Sequence, residues 1–203
     1  MPADGRRNAS HRRGGGAVLE GTVRDLGRGG DGIVATDKGV VFVAGAFPGE
    51  RVRVRLTPGG TSKMRAGSLE KVLEVSPDRV TPPCVYAEAC GGCAWIALSV
   101  PAQRRTKATM AERAVGLPLT LESSGEGTGY RRRARLQWIR TGQGTFLGYR
   151  AKRGHDVVDV ARCVILEPAL DAALSLVREH VAPHLMGKGE VQLAVGDGGR
   201  AVV

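Results

Sequence analysis

The chain is 203 residues long, 42% hydrophobic and only 4% aromatic, and its 30 Lys and Arg outnumber 20 Asp and Glu for a formal net charge of +10. That length allows one or two domains with real cores, resting on Val, Leu, Ile and Ala rather than on aromatic rings. The cationic excess favours a polyanion, RNA or DNA, over a neutral metabolite as partner; the plain alternative is a basic, solvated surface.

The first sixteen residues, MPADGRRNASHRRGGG, are polar, Gly-rich and Arg-rich and lack the apolar stretch of a secretory signal. They are expected to form a disordered basic tail over 1–16. No run of 18 apolar residues follows, so no membrane span is expected. A cytoplasmic chain follows by elimination, and structural disulfides are rare there.

Residues 17–77 read as short strands and glycine turns. Ala17 to Val23 alternates, and Ile33-Val34-Ala35 and Val40 to Val43 are short apolar runs. Phe47-Pro48-Gly49-Glu50 is a turn. Arg51 to Leu56 alternates strictly, placing Val52, Val54 and Leu56 on one face and Arg51, Arg53 and Arg55 on the other. Pro58-Gly59-Gly60 breaks the chain, and Leu69 to Val75 reads as a last strand. About five strands in some sixty residues suggest a small oligonucleotide-binding-type barrel. Gly27 to Gly32 fits G-x-G-x-x-G, but a strand rather than a helix follows, so these glycines read as a barrel loop.

Residues 78–98 form a loop carrying three cysteines. Ser99 reads as the N-cap of a polar helix, Val100 to about Val115, ended by Gly116-Leu117-Pro118. Residues 119–127 read as a loop. Tyr130 to Arg140, Thr145 to Tyr149 and Asp156 to Val160 read as strands. A helix opens at Pro168, with Leu170, Ala173, Leu174, Val177 and Val181 as its apolar stripe, and Pro183 stops it. Glu190 to Val195 and Arg200 to Val203 read as a hairpin about Gly196 to Gly199. A chain that stops inside a hairpin is expected to be the front part of something longer.

Cys84, Cys90, Cys93 and Cys163 have the spacing C-x5-C-x2-C with one remote partner. Four thiolates, three in a tight loop and one distant, suit a [4Fe–4S] cluster, and Gly91-Gly92 lets the backbone close around it. Zinc is the runner-up, because structural zinc sites use two C-x2-4-C pairs and only one is present; buried free thiols or disulfides come last. Tyr130-Arg131-Arg132-Arg133-Ala134-Arg135, with Trp138 nearby, is a second basic cluster beside the Arg51, Arg53 and Arg55 stripe. Four cations in five residues invite phosphate, and Tyr130 or Trp138 could stack a base; the alternative is a solvated strand with Trp138 in the core. His11, His155, His180 and His184 form no catalytic or metal-binding spacing.

From residue 17 onward these motifs resemble the bacterial RNA (uracil-5-)-methyltransferases. The segment GRGGDGIVATDKGVVFVAGAFPGERVRVRL is similar to that family's TRAM domain, and Cys84 to Cys93 to its cluster motif. Gln103 and Lys107 match its Q-x-x-x-K; Tyr130 to Ala134 matches Y-R-x-R/K-A. Leu147-Gly148-Tyr149, His155 to Val160 and Cys163 resemble its L-G-F/Y…H-x-V-V-D-x…C block, whose cysteine is the fourth cluster ligand.

The resemblance implies a mainly β chain with an α+β part: an OB-like TRAM barrel over 17–77, then a cluster-bearing, incomplete α+β central domain over 78–203. It implies RNA, ribosomal or transfer, as partner and 5-methyluridine as product. It also implies that S-adenosylmethionine and the attacking cysteine belong to a catalytic domain missing here, with a separately encoded catalytic domain as a candidate partner. The rival readings are a stand-alone TRAM and iron–sulfur RNA-binding module and a radical methylthiolation enzyme. The C-x5-C spacing and the fourth ligand argue against the latter.

Overall fold

The computed structural model describes residues 16–202 except 38, 60, 62, 63, 122–124 and 200, and only the backbone of 201 and 202. The expected basic tail up to residue 15, His11, Gly60, part of the 119–127 loop, Arg200 and Val203 lie outside the described residues. Two compact units meet at the Ser76–Pro77 junction. No helix among the described residues is long and apolar enough to cross a membrane.

The first unit is a closed five-stranded barrel. Its strands are β1 (Val18–Leu26), β2 (Gly32–Thr36), β3 (Gly39–Val43), β4 (Arg51–Leu56) and β5 (Met64–Glu74), in the order β1-β2-β3-β5-β4. Val23, Val34, Val41, Val43, Val52 and Val54 fill it, each at most 1% exposed. Branched side chains pack well on a pleated surface, so this core needs few rings. Gly67 closes the barrel, because a Cβ there would run into Val54 Cγ1 and lie 3.0 Å from Val41 Cγ1. β5 starts five residues before the expected Leu69, since Met64–Gly67 pairs in parallel with Val40–Val43. That pairing needs backbone groups, not apolar alternation, and so leaves no periodic trace. The Gly27–Gly32 stretch turns β1 into β2, with Gly27 N–H donating to Asp31 O at 2.7 Å. Glu50 is wholly buried and its carboxylate accepts from Phe47 N–H at 2.8 Å, locking the turn before β4.

The second unit opens on the cysteine loop and α1 (Val100–Val115). Ser99 caps α1 through Ala102 N–H, and Gly116, at φ 77°, ends it. Only Ala102 of α1 is buried, as its polar sequence requires. Then come β6 (Arg133–Thr141), β7 (Gly144–Arg150), β8 (Val157–Asp159), α2 (Pro168–Leu176), β9 (Lys188–Val195) and β10 (Ala201–Val202). The sheet order is β10-β9-β6-β7-β8. Leu170 and Leu174 of α2 join Leu136, Leu147 and Leu193 of the sheet in one core, all at most 1% exposed.

Two expectations shift here. β6 begins at Arg133 rather than Tyr130, because Arg131 bridges to Leu166 instead of to β9. The second helix is α-helical only to Leu176; Val177–Val181 is a π turn and Ala182–His184 a 3₁₀ turn. Pro183 has no N–H for the carbonyl four residues back, so the α ladder cannot run into it.

Candidate metal centre and nucleic-acid interface

The cysteine loop is built as a series of tight turns. Ala87 N–H donates to Cys84 O at 3.1 Å and Cys90 N–H to Tyr86 O at 2.8 Å. The loop is then hung on the end of β7: Gly91 N–H donates to Arg150 O and Lys152 N–H to Ala89 O, both at 2.9 Å. The approach is close enough to require glycine, since a Cβ on Gly91 would sit 2.9 Å from Arg150 O.

Cys163 arrives from the segment after β8. Its N–H donates to Asp171 Oδ1 at 2.8 Å, and the Tyr86 hydroxyl accepts from Ala161 N–H at 3.1 Å. These bonds bring Cys84, Cys90, Cys93 and Cys163 around a single hollow of about 20 Å³, whose wall also includes Arg131 and Tyr149.

All four cysteines are free thiols. Burial pushes the Cys93 thiol up to about 11, against the pull of Arg131 and with the other cysteines adding to it. Burial also raises Cys90, partly offset by Gly92 N–H, which donates to Cys90 Sγ at 3.4 Å. Burial raises the Tyr149 phenol as well; its hydroxyl faces the Cys163 thiol without forming a full hydrogen bond. The donor set therefore fits a thiolate-bound iron–sulfur group. Four sulfurs supply the ligand number, and one backbone N–H donor to sulfur and the Arg131 guanidinium in the wall favour the thiolate against burial and the mutual repulsion of the sulfurs. The sulfurs line the hollow without closing on one point; among the described residues, no set of three or more His, Cys, Asp or Glu is arranged to grip a single ion.

The structure separates the arginines that the sequence groups. On the barrel, Arg51 and Arg53 share Glu20 at 3.1 and 2.8 Å, Arg51 also meets Glu74 at 3.5 Å, and Arg55 meets Glu70 at 2.6 Å. The Glu20 carboxyl is held below its usual value, chiefly by the Arg53 hydrogen bond. This face is thus a cross-strand ladder of alternating charge. In the second unit Arg131 lines the cysteine hollow. Arg132 reaches Asp197 at 3.2 Å, Glu167 at 3.3 Å and Gly196 O at 2.8 Å. Arg135 stands 3.7 Å from Glu190, and Arg133 is exposed with no carboxylate partner among the described residues. Trp138 packs half-buried against the sheet core and over Gly189, whereas Tyr130 is 55% exposed.

Asp171, Tyr86 and Tyr149 support the site, and the sequence singled out none of them for that role. Asp171 leaves one signal, an acid in the first turn of α2 eight residues after Cys163.

No family model matches the chain. It is 36% identical over 194 residues to the 23S rRNA (uracil(1939)-C(5))-methyltransferase RlmD of Vibrio cholerae, covering 90% of this chain and 43% of that protein. It is 37% identical over 193 residues to the RlmD of Chromohalobacter salexigens, covering 90% of this chain and 40% of the other. The fold is similar to that of the Pyrococcus abyssi tRNA (uracil-54, C5)-methyltransferase in complex with S-adenosyl-L-homocysteine. There the TM-score is 0.63 at 23% identity, over 87% of this chain and 42% of that one. The chain thus spans less than half the length of the relatives it matches. A five-stranded barrel, four gathered cysteines and this similarity over nine-tenths of the sequence place the chain in the RNA (uracil-5-)-methyltransferase family.

Proposed function

We propose that this chain is the RNA-recognition and iron–sulfur portion of an S-adenosylmethionine-dependent methyltransferase that forms 5-methyluridine in ribosomal or transfer RNA. The barrel over 17–77 is read as a TRAM domain and the unit from 78 onward as the cluster-bearing part of the central domain. One observation carries the reading: cysteines from two segments seventy residues apart in sequence meet around one hollow, in a chain similar to RlmD over nine-tenths of its length. The [4Fe–4S] group, when bound, supplies thiolate bonds that join the Cys84–Cys93 loop to Cys163. The residues around it keep the site dry, place the sulfurs and offset their charge through Arg131.

In this reading, cofactor binding and methyl transfer fall outside the residues of this chain. RNA is the cytoplasmic partner, and Arg131, Arg132, Arg133 and Arg135 with Arg51, Arg53 and Arg55 are its proposed contacts. Arg133 is the most available of these, since the others face acids or the cysteine hollow.

Protein purified without oxygen is expected to be brown, with broad absorbance near roughly 400 nm and about four irons per chain. Colourless protein holding one zinc per chain would assign the cysteines to zinc instead.

A further inference from the structure

A second hollow, of about 190 Å³, also has Cys93 in its wall and lies between the cysteine loop and α1. Trp95, Ile96, Gln103, Lys107, Tyr130 and Ile165 contribute to its wall. Gln103 and Lys107 are four residues apart on α1 and so share one face. Gln103 Nε2 donates to Leu98 O at 2.9 Å and Trp95 O at 3.1 Å, which fixes the carboxamide and leaves its oxygen as an acceptor. Lys107 is exposed and makes no ion pair or hydrogen bond with another described residue. Tyr130 is more than half exposed, an unusual state for a ring in a chain with so few.

These parts are a planar apolar face, an oriented acceptor and a free cation around a space too small for a cofactor. Sites for drug-sized ligands run to about 300–1,000 Å³. A single nucleotide supplies the complement: a base to stack on a ring, an N–H or amino group to donate, and a phosphate. A bare anion would leave the aromatic and apolar wall unused.

We propose that this hollow is a subsite for one unstacked nucleotide of a bound RNA strand. Its base lies against Tyr130, the Gln103 oxygen accepts from the base edge, and Lys107 meets the phosphate. The inference rests on the RNA-binding reading above and adds to it a specific place where a base leaves its stack.

The test uses the full chain labelled with 5-fluorotryptophan, whose two fluorine resonances separate Trp95 from Trp138. Uridine 5′-monophosphate and a structured RNA are titrated separately. The Trp95 resonance is expected to move with both probes while Trp138 stays. Lys107→Ala and Tyr130→Ala are each expected to weaken the response on the order of tenfold. Both positions are exposed, and an unchanged Trp138 resonance reports that the variants are folded. Trp95 motionless under both probes, or variants that bind like the parent, overturns the subsite. RNA that binds without moving Trp95 removes the subsite and leaves the RNA reading intact. Mononucleotide that moves Trp95 while RNA fails to bind overturns the RNA reading and, with it, the assignment of this hollow to an RNA strand.

Discussion

Asp171 Oδ1 accepts a 2.8 Å hydrogen bond from the backbone N–H of Cys163, and Asp171 Oδ2 takes the Arg162 guanidinium at 2.9 Å. Both Asp171 and Cys163 are buried, at 8% exposure each. One carboxylate therefore fixes where the remote cysteine enters the hollow.

Asp171→Ala leaves that N–H unpaired and is expected to cost about 1–3 kcal/mol of stability. Iron retained after gel filtration should fall with it. Asp171→Asn keeps an oxygen for the N–H and should restore most of the iron. Equal iron in the alanine and parent proteins would remove Asp171 from the site.

Asp159 and Arg178 form a bidentate pair, at 2.6 and 2.7 Å, tying the π turn to the end of β8. Burial pushes the Asp159 carboxyl up, but hydrogen bonds from Arg178 and Leu147 N–H outweigh it and hold it below its ordinary value. A depressed carboxylate stabilises the fold above its unfolded pKa, about 3.9, and this contribution is lost as pH falls through the lower, folded pKa. Melting temperature is thus expected to drop more steeply below about pH 4 in the parent than in Asp159→Asn. Parallel pH profiles would show the pair to be silent.

Gly67 faces Val54 and Val41 inside the barrel. Gly67→Ala is expected to lower the denaturant midpoint by overpacking, at about 1–3 kcal/mol. Gly29 has open space around its Cβ position, so Gly29→Ala is the matched control and should leave the midpoint nearly unchanged.

Among the arginines, Arg133→Ala is expected to reduce the slope of log affinity for RNA against log salt by about 0.7–0.9, one phosphate contact. Arg132→Ala should change the slope less, since Asp197, Glu167 and a carbonyl already engage that guanidinium. The reverse ranking would transfer the phosphate role to Arg132.

The alternation from Arg51 to Leu56 predicts β4 and both its faces, because a period of two leaves a strand little choice. Ser99 and Gly116 bound α1 for equally local reasons, a side-chain oxygen for a free N–H and a left-handed residue at the end. The carboxylates opposite the arginines are not legible in this way. Glu20, Glu70 and Glu74 come from β1 and β5, and only strand register sets them beside Arg53, Arg55 and Arg51. The same holds at the cysteines. Spacing groups Cys84, Cys90 and Cys93, whereas the approach of Cys163 depends on Asp171, Tyr86 and the end of β7, which meet only in the folded sheet.

Seventy residues separate Cys93 from Cys163, and β6, β7 and β8 lie between them. Three sulfurs can gather in a short loop on an otherwise unformed chain. The fourth is delivered only once that sheet exists, so a complete centre records that the second unit has folded. Joined through one centre, the two segments act as a cross-link of that span, worth about 4 kcal/mol on the chain-entropy scale for such links. If the proposed cluster forms, removing it is expected to release conformational freedom in the unfolded chain and to make the second unit more susceptible to proteolysis.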